Sequence, residues 1–446
     1  MTNRCGEVSS FFIKGYLHNI CFGAWKSKLY QNAFYLSLNT MTTSLLGFVF
    51  WNLMTHFFTP AQVGIGSSLV AASSLVALLA NMGLGIGLIR FLPGANEKAE
   101  RLINATFTLS GALCIIGALV YLTGIRLFSP PLGFVFESPW MASFFVIFTL
   151  AGSLSILTDN SLIAGRVSQY ILIKNFMISI LKIPLAIIAF KSQYGYGIFT
   201  ATGTSLLIVT FLSWFTFLPK VYKGYTPRPA IEKDMTLKML PYSFANYMAN
   251  LLNQAPSYIY PLIVLYISGP EESAYFWIAW MMTMVLSIIP GSVSLSLFAE
   301  GSHNSNKIGH NGKRVLLLTI LITIPAVGSI LLLCNWLLGI FGPGYSEHGS
   351  AVVRLLSLAI IPQSVNNLFI TVNQVKKRAK LIVVQTGAQA TISIGLGYWM
   401  LEHWGLKGLG MAYTFAHLTI AAIVIWPLLK SLNEKPNRII EVKERN

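Results

Sequence analysis

The stretch VLLLTILITIPAVGSILLL, residues 315–333, runs nineteen positions without one Asp, Glu, Lys or Arg. An α-helix rises 1.5 Å per residue, so roughly 20 apolar residues cross the ~30 Å hydrocarbon core of a bilayer. The stretch GMAYTFAHLTIAAIVIWPLL, residues 410–429, has the same character, and residues 206–218 form a shorter uncharged run. Composition extends the reading to the whole chain. Of 446 residues, 54% are hydrophobic and 10% charged, where a soluble domain carries ~25% charged residues. So few charges could not coat a soluble protein of this length. The sequence therefore predicts an all-α polytopic membrane protein. Twelve spans can be drawn, at 33–57, 63–90, 102–124, 140–164, 170–190, 197–218, 239–266, 273–298, 315–339, 351–373, 381–401 and 408–429. Residues 1–31 carry scattered charges and lack the clean apolar core of a cleavable signal. Within them, residues 11–25 read either as an interfacial helix or as an unattached tail.

Counting Lys and Arg orients the spans. With both termini cytoplasmic, 26 of the 31 basic residues lie in inside segments or just within their helix ends. The outside segments hold Arg126, Lys191, Arg354 and Lys407, and Lys182 lies inside the fifth span. This asymmetry is the positive-inside pattern and orients the spans; the expected location is the cytoplasmic (inner) membrane. The asymmetry also explains the net charge of +16 without nucleic acid. The excess sits in short loops such as KKRAK, residues 376–380, where it meets anionic headgroups. The four cysteines, Cys5, Cys21, Cys114 and Cys334, form no CxxC pair, and the last two fall in spans as packing residues.

The chain also repeats itself. A shift of 210 residues lays Pro60 on Pro270, Glu137 on Glu347, Gly195 on Gly405 and Lys220 on Lys430. Each pair marks the same punctuation: an outer turn, the longest outer loop, a late turn and the inner end of a half. Six spans per repeat is an even number, so the two copies share one orientation about an axis along the membrane normal. The division follows as an N-terminal segment 1–32, an N-lobe 33–218, a linker 219–238, a C-lobe 239–430 and a tail 431–446. The linker holds Pro219, Pro227, Pro229 and five basic residues, and reads as a hinge or tether.

Polar residues inside spans show which faces avoid lipid, because an unpartnered ionisable group there costs several kcal/mol. Asn246, Asn250, Asn253 and Gln254 recur at i, i+4, i+7 and i+8 on one face of the seventh span, with Tyr242 and Tyr258 continuing it. Pro256 and Pro261 free backbone carbonyls in the same span. The tenth span offers a looser set in Gln363, Asn366, Asn367, Asn373 and Gln374, beside Pro362. The first offers Asn39, Thr40, Thr43, Ser44, Asn52 and His56. Asp159 and Lys174 flank the hairpin near Val167 at similar depth and can pair, for structure or for ion coupling. Lys182 lies deeper with no evident partner, and Arg90 closes the second span. Both suit an anionic headgroup as well as a structural role. There is no P-loop, no HExxH and no Cys/His ligand cluster. The expectation is a transporter, with no catalytic residue, metal or cofactor.

The turn Thr59-Pro60-Ala61-Gln62-Val63-Gly64, the second-span ending Gly83-Leu84-Gly85…Ile89-Arg90-Phe91-Leu92-Pro93 and the two six-span halves resemble polysaccharide biosynthesis proteins. These are the lipid-linked oligosaccharide (O-antigen type) flippases of the multidrug/oligosaccharidyl-lipid/polysaccharide exporter superfamily. The resemblance covers residues 28–430 in layout. It implies a MATE-like pair of helical bundles around a cavity bordered by the first, second, seventh and eighth spans. The implied cargo is a polyprenyl-(pyro)phosphate sugar, with glycan polymerases or glycosyltransferases as partners. Sugar hydroxyls would meet Asn246, Asn250, Asn253, Gln254, Gln363 and Asn367, and phosphate would meet Arg90 or Lys182. Three alternatives stay open. A cation-coupled drug antiporter would need an acid that the first span lacks. A peptidoglycan-precursor flippase would have fourteen spans and Arg in the first. A membrane-embedded polymerase or transferase would need more than Glu137 and Glu347 outside.

Overall fold

The computed structural model describes residues 28–190, 196–303 and 308–433, and no strand occurs among them. Eleven long helices and one short one carry the fold. They are α1 Lys28–Phe57, α2 Pro60–Ala80, α3 Leu84–Phe91, α4 Ala99–Thr123, α5 Pro139–Ala164, α6 Ser168–Phe190 and α7 Gly197–Thr216 in the first half. The second half holds α8 Lys233–Ser268, α9 Pro270–His303, α10 Ile308–Gly339, α11 Pro343–Val375 and α12 Ala379–Asn433. Among the described residues, ten helical stretches are long and apolar enough to cross a membrane. α12 is 55 residues long and non-helical at Gly405, so at 1.5 Å per residue it is far too long for one crossing. α8 is too polar to be one of the ten.

Local chemistry explains the helix ends. Thr59 caps α2: its hydroxyl accepts from the Gln62 amide, and the Gln62 side chain accepts from the Thr59 amide at 3.0 Å. Pro60 supplies the first helical position, where its missing N–H costs nothing. Pro270 opens α9 in the same way, 210 residues later.

Two sequence expectations need correction. The span drawn at 63–90 is broken at Asn81-Met82-Gly83 into α2 and α3, with Gly83 at φ +79°. The Tyr247 hydroxyl of α8 donates to the carbonyls of Leu78 and Leu79 at 3.3 and 3.0 Å and satisfies acceptors the break releases. The outer loop drawn at 340–350 is helical from Pro343 onward. Pro343 starts the helix directly after Gly342, whose φ of +125° turns the chain. The segment read as a hinge or tether is strapped to α4. Asn104 donates to the Thr226 carbonyl at 2.8 Å, Thr226 donates to Glu100 at 2.8 Å, and Arg228 pairs with Glu100 at 3.2 Å. The following helix already begins at Lys233. Residues 11–25, Cys5, Cys21, Gly195 and the 431–446 tail beyond Asn433 lie outside the described residues.

Each half packs around its own helices, α1 and α7 on α6 in the first and α11 on α9, α10 and α12 in the second. The halves meet where α2 lies against α8 and α9, and where α3 lies against α8. Contact is unequal at the two ends. On the face away from the basic loops, one buried apolar cluster joins Phe50, Trp51 and Met54 of α1 to Tyr260 of α8 and Phe276 and Trp280 of α9. Trp51 meets Trp277 edge-on at 5.3 Å, and Phe48 meets Phe341 at 5.1 Å. On the basic face, among the described residues, one cluster lies in the first half with Met239 of α8 and another wholly in the second.

Candidate functional site

α8 runs beneath the aromatic seal and carries the amide stripe. Asn246, Asn250 and Asn253 are exposed and Gln254 is half-buried. The Gln254 amide donates to Asn250 Oδ1 at 2.5 Å, and the Tyr258 hydroxyl donates to Gln254 Oε1 at 3.3 Å. Asn250, Gln254 and Tyr258 are thus laddered along their own helix at i, i+4 steps. Pro256 is buried beside them. The Tyr242 side chain lies outside the described set.

The other candidates make contacts of their own. Gln363 on α11 accepts from Ser287 of α9 at 3.2 Å, and Asn367 accepts from Thr371 through its carbonyl. Lys182 of α6 holds its ammonium 4.4 Å from the Phe50 ring centroid, at the lower edge of the seal. Such a cation–π contact stabilises a desolvated ammonium by up to ~2 kcal/mol and leaves its charge unneutralised. Arg90 is exposed at the end of α3, 5.9 Å from the Phe91 ring. Asp159 and Lys174 form an ion pair at 2.9 Å, and Lys174 also donates to the Ser155 hydroxyl at 2.6 Å. Asn175, next to Lys174 on α6, reaches Asn39 of α1 at 3.1 Å. His56 bonds its own helix at the Asn52 carbonyl, 2.8 Å away.

Two features escaped the sequence reading. The first is a polar knot in the second half. Asn366 donates to the His417 carbonyl at 3.1 Å, Gln389 meets the His417 ring at 3.2 Å, and Gln385 donates to the Asn366 carbonyl at 3.2 Å. All four residues are buried. The second is the junction of halves at the sealed end. Ser68 and Ser273 hydroxyls lie 3.0 Å apart, Ser273 donates to the Pro261 carbonyl at 3.2 Å, and Asn52 donates to the Ile340 carbonyl at 2.9 Å. No spacing rule links these residues, since their separations run to 205 and 288 positions. Among the described residues no cluster of His, Cys, Asp and Glu could hold a metal ion.

Against this geometry, the family model described as "Polysaccharide biosynthesis protein" matches residues 29–298, more than half of the chain. The chain belongs to the polysaccharide biosynthesis protein family. A search of curated proteins finds no match. Among solved structures, this family member is similar to the lipid II flippase MurJ in an inward closed conformation. That likeness has a TM-score of 0.68 at 12% identity, over 89% of this chain and 88% of that one. An inward-facing multidrug resistance MATE family transporter of the MOP superfamily gives 0.64 at 15% identity, over 87% and 98%. A MOP superfamily transporter from Pyrococcus furiosus gives 0.61 at 14% identity, over 90% and 96%. At such identities the likeness establishes the fold: this polysaccharide biosynthesis protein is a multi-pass membrane protein with a MATE-like architecture.

Proposed function

We propose that the chain translocates a polyprenyl-(pyro)phosphate-linked oligosaccharide across the cytoplasmic membrane by alternating access. In this reading it makes twelve crossings in two lobes, 33–218 and 239–430, with both ends and the basic loops inside. The observation that carries it is the exposed amide ladder of α8. Bare amides at mid-span cannot face hydrocarbon, where each unsatisfied polar group costs several kcal/mol. Asn246, Asn250 and Asn253 therefore face water between the lobes, and amides beside an aromatic hydroxyl match the donors and acceptors of a sugar. The seal above them and the divided cores below fit a cavity open toward the basic side. Lys182 and Arg90 are the proposed phosphate contacts, with Gln363 and Asn367 as a second wall.

The same fold also occurs in a multidrug resistance transporter. Nothing in α1 favours cation coupling of that kind, because Lys28–Phe57 contains no Asp or Glu. The test is complementation. In cells lacking the protein, the wild-type chain restores surface glycan. Restored drug resistance without glycan display would instead favour the antiporter.

A further inference from the structure

A groove of about 420 Å³ opens in the second half, at the basic ends of α11 and α12. Its walls come from the end of α11 and from both segments of α12, and α1, α2, α8 and α9 contribute nothing to its lining. Leu381, Val384 and Ile423 along it are exposed apolar side chains on membrane helices, so the groove faces lipid. At the basic face it ends on Arg378, which is exposed and pairs with no carboxylate among the described residues. The adjacent rim is fixed by Lys376, which donates to the Ser431 hydroxyl at 2.6 Å. From Arg378 to Ala388 the helix rises ~15 Å, the depth of one leaflet of a ~30 Å core.

An apolar channel one leaflet deep, closed by a guanidinium at headgroup level, has the shape and charge of an anionic glycerophospholipid. We infer that this groove is a binding site for such a lipid, its phosphate on Arg378 and one acyl chain against Val384 and Ile423. Basic pockets between membrane helices on the cytoplasmic side take anionic headgroups in this manner. A bidentate Arg–phosphate contact adds geometry to the charge. The long tail of a polyprenyl phosphate would overrun a groove that stops within one leaflet.

Native mass spectrometry of the full chain, released from nanodiscs of equal dioleoyl-phosphatidylcholine and dioleoyl-phosphatidylglycerol, tests the site. Wild type should retain phosphatidylglycerol over phosphatidylcholine about fivefold, as expected for ~1 kcal/mol per basic residue at an anionic surface. Arg378→Ala should abolish the preference, and Ala388→Trp, which fills the groove, should reduce retention of both lipids. Lys220→Ala, on the basic face of the other half, should change nothing. Size-exclusion elution and helical circular dichroism matching wild type establish that each variant is folded. Equal retention of the two lipids by wild type overturns the site. So does a loss in Lys220→Ala as large as in Arg378→Ala, which would mean a diffuse basic surface. Displacement of phosphatidylglycerol by equimolar undecaprenyl phosphate would assign the groove to a carrier tail and overturn the assignment as well.

Discussion

Gly64 of α2 lies so close to Pro270 of α9 that a Cβ on it would fall 1.8 Å from the Pro270 carbonyl oxygen. The same Cβ would come within 3.1 Å of the Ala274 amide nitrogen. Gly64 and Ala274 are 210 positions apart, the offset of the internal repeat. Equivalent residues of the two halves thus meet at the sealed end, as they must where a pseudo-twofold axis passes between the halves. Because the obstructing atoms are backbone, no rotamer change can relieve the contact.

Gly64→Ala should therefore hold the sealed end apart. Ser273→Cys, buried in the junction, should resist a membrane-impermeant maleimide applied outside intact cells. Adding Gly64→Ala should make it label readily. Equal labelling in the two backgrounds would show that the α2–α9 contact does not close the path.

The Asp159–Lys174 pair separates structure from coupling. Asp159→Asn leaves a fully buried ammonium without its counter-charge, and breaking a buried pair costs about 3–5 kcal/mol. Loss of folded protein on detergent gels should follow. Asp159→Asn with Lys174→Met should recover wild-type abundance to within about 1 kcal/mol of stability and keep transport. Recovered abundance with abolished transport would make the pair a coupling site.

The α8 ladder and its cation should matter to cargo and little to folding. Asn250→Ala, Gln254→Ala and Lys182→Ala are each expected to lower surface glycan about tenfold at unchanged abundance. That is the effect of one lost hydrogen bond near 1.4 kcal/mol. Normal display from all three at wild-type abundance would remove them from the path.

The strap gives a prediction without transport. Glu100→Ala removes the acceptor that holds Thr226 and Arg228. An exposed pair of this kind is worth at most about 1 kcal/mol, so the melting temperature should barely move. Trypsin cleavage after Lys223 should nevertheless quicken as the segment lifts from α4. An unchanged digestion rate would mean that other contacts hold it, such as the Asn104–Thr226 bond.

Much of the layout was legible in the chain because its cause is local. Uncharged runs of bilayer length and the punctuation at Pro60, Pro270 and Gly405 depend on neighbours in sequence. The break at Asn81–Gly83 was not, because residues 63–90 read as one span and the acceptor relief comes from Tyr247, more than 160 positions away. The polar inventory was found but not sorted. A buried Asn366 and a half-buried Asn367 look alike in sequence, and only packing against His417 separates them. Lys182 lacked a visible partner because a ring on another helix leaves no charge pattern to read.

The most direct measurement follows one lipid-linked oligosaccharide across a membrane. Purified protein is reconstituted in liposomes carrying the polyprenyl-pyrophosphate sugar in both leaflets, and an impermeant glycosidase is added outside. With protein present, cleavage should pass the half that an empty vesicle allows and approach completion, while the triple variant Asn250→Ala/Gln254→Ala/Lys182→Ala should stop near half. Cleavage halting at half with wild-type protein, in vesicles where the same preparation expels a cationic drug along a proton gradient, would contradict the assignment.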